Sequence, residues 1–219
     1  QKKLIIFMPS IEGGGVEKNL FLISSFLANK INDVYLITAS KKYKNRFNKK
    51  INLILPQFDF WDRFGRKIKY IICLLMLLRN IILQKNVLVL CFQANIYCTI
   101  VCKIFNKKII VRSNSSPSGW SNNIIKRFIF RIVLNKADAI IVNSLEFKRE
   151  LKNTFNVNAR CIYNPLNKKE ILKHSKRKIN NIFNKKKCLK IINVGRYVDQ
   201  KDQITLLKSL NLLKNKINF

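Results

Sequence analysis

The sequence predicts an α/β protein built on a doubly wound parallel sheet, and three observations carry that prediction. Short β-branched runs alternate with helical patterns along the chain, the order that builds parallel βαβ units. Most of these runs are apolar throughout instead of alternating with polar residues, as strands buried on both faces require. With 219 residues and 48% hydrophobic content, the chain is long enough for one full core and part of another.

In chain order the strand-like runs are residues 4–8, 34–38, 51–55, 87–92, 108–112, 139–142, 160–163 and 189–194. Helical patterns fill the gaps at 16–29, 63–85, 94–105, 121–135, 144–155 and 200–214. Ser144, followed by an apolar face containing Phe147, has the form of a helix start directly after a strand. Residues 167–187 break the pattern with a charge-rich, weakly apolar stretch before a clean strand at 189–194. The predicted organisation is a Rossmann-like domain over 1–166, a basic linker over 167–188, and the first β-α unit of a second Rossmann-like lobe over 189–219.

Composition narrows the function classes. Forty-three Lys and Arg against eleven Asp and Glu give a formal charge of +32, a field that favours a polyanionic partner: nucleic acid, an anionic membrane face or a phosphorylated substrate. Heavy joint use of Lys, Asn and Ile, as in proteins from AT-rich genomes, accounts for part of the excess. No zinc spacing, RNP signature or clear helix-turn-helix is present and the basic residues are spread over the whole chain, so nucleic acid is not an expected partner. The six cysteines are scattered and have no nearby histidines. They are read as reduced core residues, with a structural disulfide or a zinc site as the alternative; no metal is expected. The longest apolar run, residues 71–78, is far shorter than the roughly 20 residues of a spanning helix. Lys2 and Lys3 precede only a five-residue apolar run, which is no signal peptide. The protein is therefore expected to be cytoplasmic, and Gln1 in place of Met is read as a chain lacking its true start.

Two strand-to-helix junctions carry candidate chemistry. In the first, Gly13, Gly14 and Gly15 follow the first strand and precede Glu17 and Lys18. Glycines let backbone approach a ligand closely, and the helix behind them offers free N–H groups to a phosphate. The spacing is neither Gly-x-Gly-x-x-Gly nor a P-loop, and a merely flexible turn is the plain alternative. In the second, Gly195 ends the last strand and Arg196 and Lys201 follow. Two cations at a strand tip suit a diphosphate; an exposed charged loop is the alternative. A third feature, residues 62–85, sets Arg63, Arg66, Lys67, Lys69, Arg79 and Lys85 around an apolar centre. It reads either as a helix lying on an anionic membrane surface or as a packed helix with a charged start.

With these motifs in view, the sequence resembles the retaining glycosyltransferases of family 4, which have the two-lobed GT-B fold. The matching pieces are Gly13, Gly14 and Gly15 with Glu17, the segment Lys136-Ala137-Asp138-Ala139-Ile140-Ile141-Val142-Asn143-Ser144, the run Cys161-Ile162-Tyr163-Asn164-Pro165, and Val194-Gly195-Arg196 through Gln200-Lys201-Asp202. The resemblance implies that the first lobe binds the acceptor, with Arg112 and Asn114 as candidate contacts, and that the second binds a nucleotide sugar. Gly195, Arg196 and Lys201 would hold the donor diphosphate, with Gly13, Gly14 and Gly15 closing on it. The sugar would keep its anomeric configuration, without a metal or other cofactor beyond the nucleotide sugar itself as co-substrate.

The acceptor would be a glycan or lipid-linked, in capsule, lipopolysaccharide or other cell-surface polysaccharide assembly, and the enzyme would lie in the cytoplasm or against the inner face of the plasma membrane. Many relatives carry a histidine after the strand that here ends at Arg112, where this chain reads Ser113, Asn114, Ser115; its only histidine, His174, lies in the linker and is read as solvated. The chain ends before the acidic motif that relatives place late in the second lobe, so an inactive fragment with unassigned catalytic residues is expected. A non-catalytic GT-B-like scaffold subunit is the rival reading.

Overall fold

The computed structural model describes residues 3–82, 84–115, 123–177, 190–195 and 197–213. The chain divides into two compact units, Gln1–Asn167 and Lys168–Phe219.

In the first unit, β1 (Lys3–Phe7), β2 (Val34–Ile37), β3 (Asn52–Ile54), β4 (Val87–Cys91), β5 (Lys108–Ser113), β6 (Ala139–Val142) and β7 (Arg160–Cys161) form one sheet. Its order is β3-β2-β1-β4-β5-β6-β7 and every pairing is parallel. Successive side chains of a strand point to opposite faces. Ile5 and Phe7 of the central β1 accordingly enter one core while Leu4 and Ile6 enter the other, which is why the strand is apolar throughout. The face of Leu4 and Ile6 is covered by α1 (Gly15–Ala28), which contributes Leu20 and Ala28. The opposite face is covered by α2 (Arg66–Ile82), α3 (Asn95–Ile104), α4 (Ile124–Asn135) and α5 (Leu145–Phe155), through Leu77, Cys98, Leu134 and Phe155 among others.

The chain winds outward from β1 through β2 to the edge strand β3, and α2 then carries it back to β4. The order reverses between β1 and β4, and at such a switch point the two outgoing loops part to leave a crevice at the carboxyl ends of the strands.

Helix α2 starts later than its pattern predicts. Residues Asp59–Arg63 form a separate 3-10 turn, because Phe58, Phe60, Trp61 and Phe64 pack against one another, with ring centres 4.5 Å apart for Phe60 and Trp61 and 5.5 Å for Trp61 and Phe64. Asp59 is also held by Lys41 Nζ at 2.6 Å. The five cysteines among the described residues are free, four of them buried. Burial pushes the Cys73 thiol up to about 12. Cys188 lies outside the described residues.

In the second unit, α6 (Lys168–Ser175) occupies the first part of the stretch read as linker, and α7 (Gln203–Leu213) is the helix expected after the second glycine junction. The run read as a strand at 189–194 forms no ladder among the described residues. A strand is defined by its partner, and the described residues of this unit supply none.

Candidate functional site

The glycine loop after β1 stands at the switch point. Gly13 has φ +89°, a conformation that costs residues with a Cβ about 1–2 kcal/mol. A Cβ on Gly14 would lie 2.9 Å from Glu17 Oε2. That space is needed, because the Glu17 carboxylate accepts the N–H of Gly14 at 2.8 Å and that of Glu12 at 3.3 Å. Nothing lies within 4 Å of a Cβ on Gly15, so the loop is open there.

The crevice is tied across its width. The Ser10 N–H donates to Gln93 Oε1 at 3.0 Å, joining the loops that follow β1 and β4, and the Ile11 N–H donates to Ser40 Oγ at 3.0 Å. Glu12 receives Arg66 in a two-pronged pair, Nε at 3.1 Å and Nη2 at 2.6 Å. The Arg66 hydrogen bond holds the Glu12 carboxyl below its ordinary value against the opposing effect of burial. The loop is thereby anchored to the first turn of α2.

Beyond Gln93, the ends of β4, β5 and β6 bring together Asn95, Asn114 and Asn143. Asn95 Nδ2 donates to the Arg112 carbonyl, and Asn114 Nδ2 donates to the carbonyls of Phe92 and Arg112, each at 3.4 Å. The side-chain oxygens of all three asparagines are buried and accept no protein hydrogen bond. Buried polar atoms are nearly always paired, and three unpaired acceptors on neighbouring loops suit a ligand rich in hydroxyl donors.

Arg112 belongs to the same edge but turns toward β7. It is 3% exposed, and Nη2 donates to Asn164 Oδ1 at 2.9 Å and to the Ile162 carbonyl at 3.4 Å. Its Nε is buried without a partner, and burial lowers its pKa. Its visible bonds thus fasten the Asn164-Pro165 segment, which precedes the unit boundary, while Asn114 faces the asparagine group. Sequence reading passed over Asn95 and gave no role to Asn143, although Asn143 stands in the Lys136–Ser144 segment that carries the resemblance; the available signal was a polar residue just past each apolar run. It gave no role to Glu12, which stands in the first glycine motif, or to Gln93, because Arg66 and Ser10, which they bind, lie 54 and 83 positions away.

In the second unit a Cβ on Gly195 would stand 3.4 Å from Lys201 Cγ, so these two candidates are side by side, and Lys201 is exposed. The Lys201 N–H donates to the Val198 carbonyl at 2.8 Å, closing a 3-10 turn, and Asp202 Oδ1 accepts the Thr205 N–H at 3.3 Å in the first turn of α7. Arg196 lies outside the described residues. A shallow hollow beside α5, lined by Leu145, Lys148, Lys152 and Val157, contains none of the candidates. Among the described residues no group of three His, Cys, Asp or Glu is placed to hold a metal ion.

Comparison with known families matches residues 13–170 to Glycosyltransferase Family 4. A search of curated protein sequences finds no match. Among solved structures, HepE of Anabaena in complex with UDP and glucose is similar over 80% of this chain and 50% of its own, with 14% identity and a TM-score of 0.52. The same protein with UDP-glucose gives 13% identity over 76% of this chain and 44% of its own, with a TM-score of 0.52. UGT73P12 of Glycyrrhiza uralensis, in complex with glycyrrhetinic acid 3-O-monoglucuronide, gives 10% identity over 74% and 49%, with a TM-score of 0.50. The likeness is one of fold, and the chain spans about half the length of these structures.

Proposed function

The chain belongs to glycosyltransferase family 4, and from that premise we propose that it is the acceptor-side part of an enzyme transferring a sugar from a nucleoside-diphosphate sugar to a glycan or lipid-linked acceptor. The observation that carries the reading is the group of buried oxygens of Asn95, Asn114 and Asn143 at the sheet's carboxyl edge, three acceptors that the protein itself leaves without a donor. Anchored by Glu12 and Arg66, the glycine loop borders the same crevice, and its open side at Gly15 is where a donor would approach. HepE has been solved with UDP-glucose, which supports a nucleotide-sugar donor here.

The chemistry follows from charge. Breaking the bond between the anomeric carbon and the donor oxygen leaves negative charge on the diphosphate, and Arg196 and Lys201 would neutralise it in place of a metal. The acceptor hydroxyl attacks the anomeric carbon from the face the diphosphate leaves, which retains the configuration, and its proton passes to the departing diphosphate oxygen as the new bond forms. The setting is cell-surface polysaccharide or lipopolysaccharide assembly at the cytoplasmic face of the membrane.

The test is transfer by the gene product in its full natural length from a panel of labelled nucleoside-diphosphate sugars to lipid-linked acceptors. Sugar transfer with retention in the wild type, and a fall of about a hundredfold or more in kcat for Lys201→Ala, is the expected result. No release of nucleoside diphosphate from any donor would overturn the enzyme reading in favour of a scaffold subunit.

A further inference from the structure

The outward side of α2 carries a second apolar row that the core does not use. Its inward side supplies Cys73, Leu77 and Ile81 to the core. At about 3.6 residues per turn, Ile68, Ile71, Leu75 and Ile82 fall on the opposite side, and all four are exposed, Ile71 and Leu75 at 60% each. A helix on the surface of a water-surrounded domain needs one apolar stripe. The second calls for a further apolar partner.

The apolar surface extends past α2 at both sides. The ring cluster of Phe58, Phe60, Trp61 and Phe64 adjoins its first turn. Helices α3 and α4 follow α2 side by side on the same face of the sheet, and α4 exposes Ile124 at 81% and Phe128 at 61%. Helices that follow parallel strands begin beside the carboxyl ends of those strands. Phe64, Tyr97 and Ile124, all exposed, therefore stand around the same mouth that holds the glycine loop and the three asparagines.

Charge decides what covers this surface. Helix α2 contains Arg66, Lys67, Lys69 and Arg79 and no acidic residue. Arg66 is tied to Glu12 and Lys69 is buried, which leaves Lys67 and Arg79 as its outward charges. Helix α4 contains Lys126, Arg127 and Arg131 with no acidic residue, and the two aspartates of the ring-cluster segment, Asp59 and Asp62, each stand beside a lysine, Lys41 and Lys69. On the α2 wheel Lys67 flanks the apolar row on one side and Arg79 on the other, the arrangement in which long cationic side chains reach the headgroups while the apolar row sinks below them. A second copy of the chain would set cation against cation. We propose that α2, α4 and the ring cluster together form a docking face for an anionic lipid bilayer, which holds the mouth of the sheet at the membrane surface. No helix among the described residues is long and apolar enough to cross a membrane, and contact at the interface needs none.

The test is sedimentation of the purified protein with vesicles of phosphatidylcholine, with or without phosphatidylglycerol, in the absence of any sugar donor. Partition into the anionic vesicles is expected to exceed that into the zwitterionic ones by on the order of tenfold and to weaken with salt. The double variants Ile71→Ser/Leu75→Ser and Lys67→Gln/Arg79→Gln should each lower anionic partition by roughly tenfold. Both should unfold at the wild-type temperature, since all four side chains are exposed. Equal partition into the two vesicle types, or unchanged partition of both variants, overturns the proposal. So does a lowered unfolding temperature in the serine variant without vesicle binding by the wild type, which would mean that another part of the protein covers the face. Sugar transfer is not read in this experiment, so its failure leaves the transferase reading standing.

Discussion

Asp138 shows what a short family-like segment does in the molecule. Its Oδ2 accepts the Ile109 N–H at 2.7 Å and pairs with Lys103 Nζ at 2.5 Å, tying the turn before β6 to the start of β5. Burial raises its pKa, but Lys103 and the Ile109 N–H outweigh burial and leave it below the ordinary 3.8. A depressed carboxyl contributes stability above its ordinary value and loses it as pH falls through the depressed one. Asp138→Asn should therefore cost about 1–2 kcal/mol at neutral pH, the low end for a charged hydrogen bond because the pair is partly exposed. The gap between variant and wild type should close as pH falls below 3.8, as urea unfolding at neutral and acid pH would show. The glycines separate in the same way. Gly13→Ala should cost about 1–2 kcal/mol through its positive φ, whereas Gly15→Ala, with nothing within 4 Å of the new Cβ, should leave the thermal midpoint nearly unchanged. The glycine triplet was legible in the sequence because its composition is unusual. The hold of Arg112 on Asn164 was not, because a pair 52 positions apart leaves no local pattern.

At the scale of elements, the strands were legible for the same reason they are stable. A strand buried on both faces must be apolar at every position, so β1 and β4 stand out as runs, while the short edge strands β3 and β7 came out longer in the sequence reading than in the fold. Boundaries were less legible where side chains make their own structure: the helix read from residue 63 starts at Arg66, because the aromatic residues ahead of it stack into a cluster around a 3-10 turn. The two sides of α2 make a sharp contrast to test. Leu77 is fully buried and Leu75 is 60% exposed. Leu77→Ala should cost about 2–5 kcal/mol, and Leu75→Ala should stay within about 0.5 kcal/mol, both read by denaturant unfolding of the isolated variants.

At the scale of the whole molecule, the order of elements is enough to place the site. A chain that alternates strand and helix and reverses direction between β1 and β4 must open a crevice at that point, and the glycine loop is the segment that borders it. The chemistry inside the crevice was only partly legible, because it is assembled from side chains on separate loops. Asn114 was singled out through the family resemblance, whereas Asn95 and Asn143 gained a role only when the sheet order set their loops beside it.

The central claim is that these asparagine oxygens receive the hydroxyls of the sugar acceptor. The most direct measurement is acceptor KM and kcat for the double variant Asn114→Ala/Asn143→Ala in the full-length enzyme. Loss of binding shared by ground state and transition state raises KM and spares kcat, so a rise in acceptor KM of roughly tenfold to a hundredfold, with donor KM and kcat unchanged, is the predicted result. An unchanged acceptor KM would contradict the account.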